Sequence, residues 1–163
     1  MKYIEDWDKR KERHAAFWHC ELVDRCLCAV TSVRDGGAFG HFPLPDTEED
    51  RRKWWTDADL ILERHLNWFE NTYYAGDSFP ILIHDLGPAG HAGYFKNVRL
   101  RFENTIWFEA DIKDYDELTF DPDSFLYQKT INLAKKYVEV AKGDFVVSMP
   151  DAVGALDVLS HLR

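Results

Sequence analysis

Residues 121–149, DPDSFLYQKTINLAKKYVEVAKGDFVVSM, spell out a helix followed by a short strand, and much of the chain repeats that alternation. Asp121 reads as a cap and Pro122 suits the first helical position, where its missing N–H would have no partner anyway. Gly143 supplies the C-terminal stop, and Tyr127, Ile131, Ala134, Val138 and Ala141 recur at helical spacing to give one apolar face. The run DFVVSM (144–149) is too short for a helix and rich in valine, so it reads as a strand. Asp151 then opens a last helix carrying Val153, Leu156 and Leu159. That helix runs into Arg163 with no glycine, proline or polar tail, so the pattern is expected to continue past this sequence.

Upstream, FPILIH (79–84) is a short apolar strand broken by Asp85-Leu86-Gly87-Pro88. Residues 98–102 and 105–110 read as two further strands around the turn Glu103-Asn104. Between residues 47 and 76 the pattern predicts one long helix. Thr47 with Asp50 resembles a capping box, and Trp54, Ala58, Leu62, Leu66 and Phe69 recur down one face as far as Gly76. CLCAVTSV (26–33) reads as a strand closed by Arg34-Asp35-Gly36-Gly37, and residues 3–20 as a leading helix with Ile4, Trp7, Ala15, Phe17 and Trp18 in a loose stripe. Strands alternating with long helices predict an α/β chain whose parallel sheet is covered by helices.

The 163 residues suffice for one domain with a core. A formal charge of −9 argues against nucleic acid or an anionic membrane as the main partner, and the basic runs at 9–11 and 51–53 read as solvated helix faces. No apolar run reaches the ~18 residues of a membrane span, and the charged first residues do not form a signal peptide. A cytoplasmic chain with reduced thiols is expected. Cys26 and Cys28 lie too close along a strand to bridge one another easily.

From about Arg25 onward, the order of four segments resembles the uroporphyrinogen decarboxylase superfamily: CLCAVTSVRDGG (26–37), GDSFPILIHDLGPAGHAGYF (76–95), IKDYDELTFDP (112–122) and VVSMPDAVGALDVLSHLR (146–163). The resemblance covers about the first half of a family member, near the branch of corrinoid-dependent methyltransferases. It implies a partial (β/α)8 TIM barrel, an N-terminal half with about four strands and flanking helices, where a closed barrel takes ~250 residues. On that reading residues 1–24 are a leading helix and 25–163 the barrel portion of a single domain. The complete form would act on a tetrapyrrole or serve as a corrinoid-linked methyltransferase. Corrinoid or zinc would belong to that complete form, with no cofactor held by this chain. The family's arginine-rich signature around Gln-Ala-Gly is reduced here to Arg34 with Gly36 and Gly37, and its later catalytic and metal-binding residues fall outside this sequence. Open sheet edges imply self-association or dependence on a C-terminal half. The alternative is a non-catalytic interaction or assembly module.

The candidate residues follow from these placements. Asp85, just past an apolar strand, corresponds to the family aspartate that accepts pyrrole N–H groups and offsets the cationic intermediate, and it is the catalytic candidate. It reads equally as a turn-capping Asp, since Asp-Leu-Gly-Pro is good turn chemistry. His84 and Asp85 would point to opposite faces unless the strand ends between them, and His84 reads either as a substrate contact or as a packed core histidine. Arg34 suits a bidentate clamp on a substrate carboxylate, or a surface ion pair. Asp151 is placed to line the same mouth or to cap the last helix. Trp107, in IWFEADI, is a candidate pocket wall, whereas Trp54, Trp55 and Trp68 read as core residues. His19, Cys20, Cys26 and Cys28 are poorly spaced for zinc, and the three thiols read as buried small hydrophobes. No phosphate-cradling loop, nucleophile elbow or His-Glu zinc motif is present.

Overall fold

A computed structural model of the chain describes residues 1–110, 112–151 and 153–162. In chain order its first half holds α1 (Trp7–Trp18), β1 (Ala29–Val33), α2 (Glu48–Thr56), α3 (Ala58–Asn71), β2 (Thr72–Gly76) and β3 (Ile81–Leu82). Then come β4 (Arg99–Phe102), β5 (Ile106–Glu109), α4 (Phe125–Ala141), β6 (Val146–Val147) and α5 (Ala155–His161). The architecture is mixed α/β. Among the described residues the strands form three two-stranded sheets, β1-β2, β3-β6 and β4-β5, and none closes into a barrel. No helix among those residues is long and apolar enough to cross a membrane.

The chain divides into two compact units, the first built from residues 1–42, 63–82 and 141–146. Its core holds Ile4, Phe69, Leu82 and Phe145, with Phe69 tilted against Phe145 at 5.2 Å and edge-on to Tyr3 at 5.6 Å. β1 and β2 pair antiparallel, Thr31 facing Tyr74 and Val33 facing Thr72. In this pair the strands run antiparallel, where the alternating pattern predicts parallel neighbours. The cause is the join at residues 71 and 72, where α3 passes into β2 without a loop. A parallel crossover reverses the chain on both sides of its helix; with one reversal missing, the returning strand runs the other way.

Arg10 departs from its expected place on a solvated face. Its side chain is buried, with Nε on Asp6 at 2.6 Å and Nη1 donating to the carbonyls of Tyr74 (3.2 Å) and Ser78 (2.5 Å). The three cysteines are exposed rather than buried, because residues 20–28 run as loop outside any regular element. Trp68 is half-exposed and stacks on Phe39 at 4.2 Å, at the surface instead of in the core.

The second unit comprises residues 43–62, 83–140 and 147–163. Thr47 caps α2 as its spacing predicts, its hydroxyl accepting from the Asp50 amide at 3.1 Å. The single helix expected over 47–76 is nevertheless two helices and a strand. Asp57 is extended, and its carboxylate accepts the Asp59 and Leu60 amides at 2.9 and 3.1 Å, so it ends α2 and caps α3. Further on, Thr72-Tyr73-Tyr74 favours strand over helix. β4 and β5 form the antiparallel pair expected around Glu103-Asn104, with Phe102 opposite Ile106. Ile106 and Phe108 point inward, with Phe102, Leu126, Leu133 and Tyr137 also buried. Asp121 does not cap α4. Its carboxylate accepts the Asp123 amide, while Ser124 takes the helical bond from the Gln128 amide and a 3.4 Å contact from that of Tyr127. Gly143, at φ +86°, follows the helix end as its position implies.

Candidate functional site

Within the second unit a concavity of about 510 Å³ is lined by Ile83, His84, Asp85, Gly87, Pro88, Met149 and Asp151. It brings together three of the residues singled out in the sequence: His84, Asp85 and Asp151. β3 ends at Leu82, yet the alternation of exposure runs on: Ile83 and Asp85 are exposed, whereas the His84 side chain turns inward, as the alternation predicts. The His84 amide is tied to the Ser148 hydroxyl at 3.0 Å, which joins the segment after β3 to the segment after β6. Ser148 has no prominence in the sequence beyond being a polar residue behind two valines.

Asp85 holds the turn that follows. Its Oδ1 accepts from the Gly87 amide at 2.9 Å, the turn-capping geometry that Asp-Leu-Gly-Pro favours. A carboxylate has about four lone-pair directions, so this single bond leaves capacity for a ligand's N–H groups. Gly87 stands at φ +91°, and a Cβ there would approach the Ile106 carbonyl to 2.6 Å. Only glycine fits this close approach of the turn to β5.

His84 is 1% exposed, and both its ring nitrogens lack a hydrogen-bond partner in the protein. The ring meets Tyr137 edge-on at 5.5 Å. Burial pushes its pKa down, against the smaller opposing pull of the Asp85 carboxylate. The imidazole is thus neutral at pH 7, with one donor and one acceptor nitrogen. Asp151 is exposed on the rim and is not the cap of α5, whose N-cap position is Gly154. The mouth therefore has two carboxylates and apolar walls from Ile83, Pro88 and Met149, with the neutral imidazole of His84 buried behind them. Such a lining suits a ligand with an apolar body and N–H donors or a positive charge.

The remaining candidates lie elsewhere. Trp107 is not part of this lining. On β5 it alternates with the buried Ile106 and Phe108, so its ring faces the other side of the strand, with its indole N–H 3.4 Å from Asn104 Oδ1. Arg34 belongs to the first unit, where its Nη2 lies 3.4 Å from the Thr72 carbonyl. Among the described residues, no group of three or more His, Cys, Asp or Glu side chains is placed to hold a metal ion. Arg163, at the end of the last predicted helix, lies outside the described residues.

The chain matches no protein-family model, no curated protein and no solved structure.

Proposed function

We propose that the chain carries the N-terminal part of a uroporphyrinogen-decarboxylase-like domain, a partial (β/α)8 arrangement in which Asp85 faces the substrate. The observation that carries this reading is the meeting of Asp85, His84 and Asp151 around one concavity just beyond the ends of β3 and β6. Barrel enzymes gather their chemistry at the C-terminal ends of strands. The complete form acts in the cytoplasm on a tetrapyrrole or as a corrinoid-linked methyltransferase, and a second copy or a further polypeptide supplies what the four resembling segments do not cover. Asp85 accepts ring N–H groups and offsets positive charge developing on the ring. His84, neutral and buried behind the mouth, packs against Tyr137 without adding charge.

Spectral titration of the purified chain with uroporphyrin and, separately, hydroxocobalamin tests the reading. A saturable band shift is expected for one of them, weakened about tenfold in Asp85→Ala, as loss of a charge-assisted hydrogen bond implies. Identical curves for both proteins remove Asp85 from the site.

A second reading, a non-catalytic association module, draws on β1. All five of its residues are exposed, including Val30 and Val33 at 52% and 51%, and such an edge is a template for pairing. A wild-type chain that binds neither tetrapyrrole nor corrinoid but self-associates in sedimentation favours the module.

A further inference from the structure

The two edges of the β1–β2 ribbon are finished differently. The Asp77 amide donates to the Cys28 carbonyl at 2.6 Å and the Arg34 amide to the Asn71 carbonyl at 2.8 Å, one at each end of the ladder. Bonded pairs alternate along an antiparallel ladder, so these two bonds fix its phase. Cys28, Val30, Ser32 and Arg34 turn their backbone groups toward β2. Ala29, Thr31 and Val33 turn theirs away from it, and on β2 Thr72, Tyr74 and Gly76 face outward in the same way.

On the β2 side the protein covers its own edge. The Tyr74 carbonyl accepts from the buried Arg10 at 3.2 Å, and the Thr72 carbonyl lies 3.4 Å from Arg34 Nη2. Thr72 and Tyr74 are themselves buried. The β1 side is open: among the described residues β1 pairs with β2 alone, and all five of its residues are exposed. The Val33 carbonyl meets the Ser32 hydroxyl at 3.4 Å, too long a contact to hold the edge closed. AVTSV has no charge, no proline and no bulge in its run of consecutive pairs, the usual devices that blunt an edge. A two-stranded ribbon is also marginal in water, where three or more strands are stable.

What fits the open edge follows from the strand itself. Set antiparallel to its own copy about a two-fold at Thr31, β1 puts Thr31 opposite the partner's Thr31 and Ala29 opposite the partner's Val33, both as hydrogen-bonded pairs. On the other face Val30 meets the partner's Ser32. Thr–Thr and β-branched pairs of this kind stabilise a ladder, and no charge meets a like charge. Arg34 falls opposite the partner's Cys28, so the two Arg34 side chains stand ~20 Å apart along the seam and are screened from one another. A chain of net charge −9 repels its copies, and the uncharged β1 is a stretch where two of them can meet without burying a charge.

We infer that β1 is a homodimerisation edge, at which two copies pair antiparallel through Ala29–Val33 about a two-fold at Thr31 and join their ribbons into one four-stranded sheet. The pairing gives a partner and a register to the association-module reading, on which it rests. So short a seam is small for an interface, and a dissociation constant on the order of tens of micromolar is expected.

Sedimentation of the full chain at about 200 µM, above that constant, is expected to show dimer. Thr31 is exposed, so Thr31→Lys and Thr31→Asp are expected to fold as wild type. Each sets like charges across the two-fold and is expected to weaken the dimer about tenfold, while an equimolar mixture of the two restores it. With Cys20→Ser, Cys26→Ser and Cys28→Ser in place, Thr31→Cys is expected to form a linked dimer under mild oxidation, since bonded partners lie ~5.5 Å apart, within disulfide reach. Val33→Cys, out of register with its own copy, is expected to link roughly tenfold more slowly. Association that persists unchanged in Thr31→Lys, or that links positions 31 and 33 equally, leaves the module reading standing and overturns this pairing. A mixture of the charged variants that stays monomeric rules out the two-fold at Thr31. A monomeric wild type removes the pairing and the module together.

Discussion

Arg25 grips the carboxylate of Asp77 with both terminal nitrogens, Nη1 at 2.6 Å from Oδ2 and Nη2 at 3.0 Å from Oδ1. Asp77 has no solvent exposure, and it also accepts from Arg13 Nη1 at 3.0 Å and from the Cys28 amide at 2.9 Å. One carboxylate thus ties α1, the loop before β1 and the turn after β2 together.

Removing that carboxylate leaves the Cys28 amide without its acceptor and takes the bidentate partner from Arg25, while Arg13 keeps Asp24 through Nε and Nη2. Asp77→Ala is expected to lower unfolding stability by about 3 kcal/mol in urea titration, more than any exposed ion pair of the chain. Burial pushes the Asp77 carboxyl up, but Arg25, the Cys28 amide and Arg13 override it and hold the pKa at about 2, against an ordinary 3.8. Because the folded value is the lower one, this stabilisation is fully present above pH 3.8 and is lost as pH falls from there through about 2. An acid titration that is the same with and without Asp77 contradicts the assignment.

His84 predicts a second, milder pH dependence. Its folded pKa lies below the ordinary 6.5, so the unfolded chain takes up the proton first, and stability falls as pH drops below 6.5. His84→Leu is expected to remove that slope and raise stability at pH 7 by about 1 kcal/mol, since two unsatisfied nitrogens leave the interior. Equal slopes in the two proteins between pH 7 and pH 5, by thermal melts, count against a buried neutral imidazole.

Gly87 holds the turn of the Asp85 mouth against β5. Gly87→Ala forces a side chain into a left-handed conformation and onto the Ile106 carbonyl, so a loss of about 2 kcal/mol is expected in urea unfolding. A neutral substitution there means that the turn relaxes without cost.

Leu126, fully buried on α4, tests the core of the second unit. Leu126→Ala is expected to cost about 3 kcal/mol, by transfer and cavity terms together. The same change at exposed Leu156 is expected to stay within about 0.5 kcal/mol.

The elements that were legible in the sequence are those whose signals are local. The period of α4, the Thr47 cap and the β4–β5 pair each depend on a few neighbouring residues. Asp85 could be put at a mouth because it opens the strand-breaking Asp-Leu-Gly-Pro, and alternation set His84 on the opposite, buried face. What could not be read depended on distant partners. Nothing near Arg10 in sequence announces the carbonyls of Tyr74 and Ser78, and nothing near Asp77 announces Arg13 and Arg25. The antiparallel return of β2 hung on a missing turn between Asn71 and Thr72, hidden because the apolar helical period runs on to Phe69. Trp107 was separable from Ile106 by alternation alone, yet its aromatic ring drew it into the candidate set.

The seamless passage from α3 into β2 leaves no slack for the chain to absorb an extra residue. One amino acid inserted between Asn71 and Thr72 would turn the ribbon over, sending Tyr74 out to water and Tyr73 inward while the helix behind stayed put. Length at that seam is therefore as tightly specified as any side chain in the first unit, and gene variants should tolerate substitutions there far better than insertions.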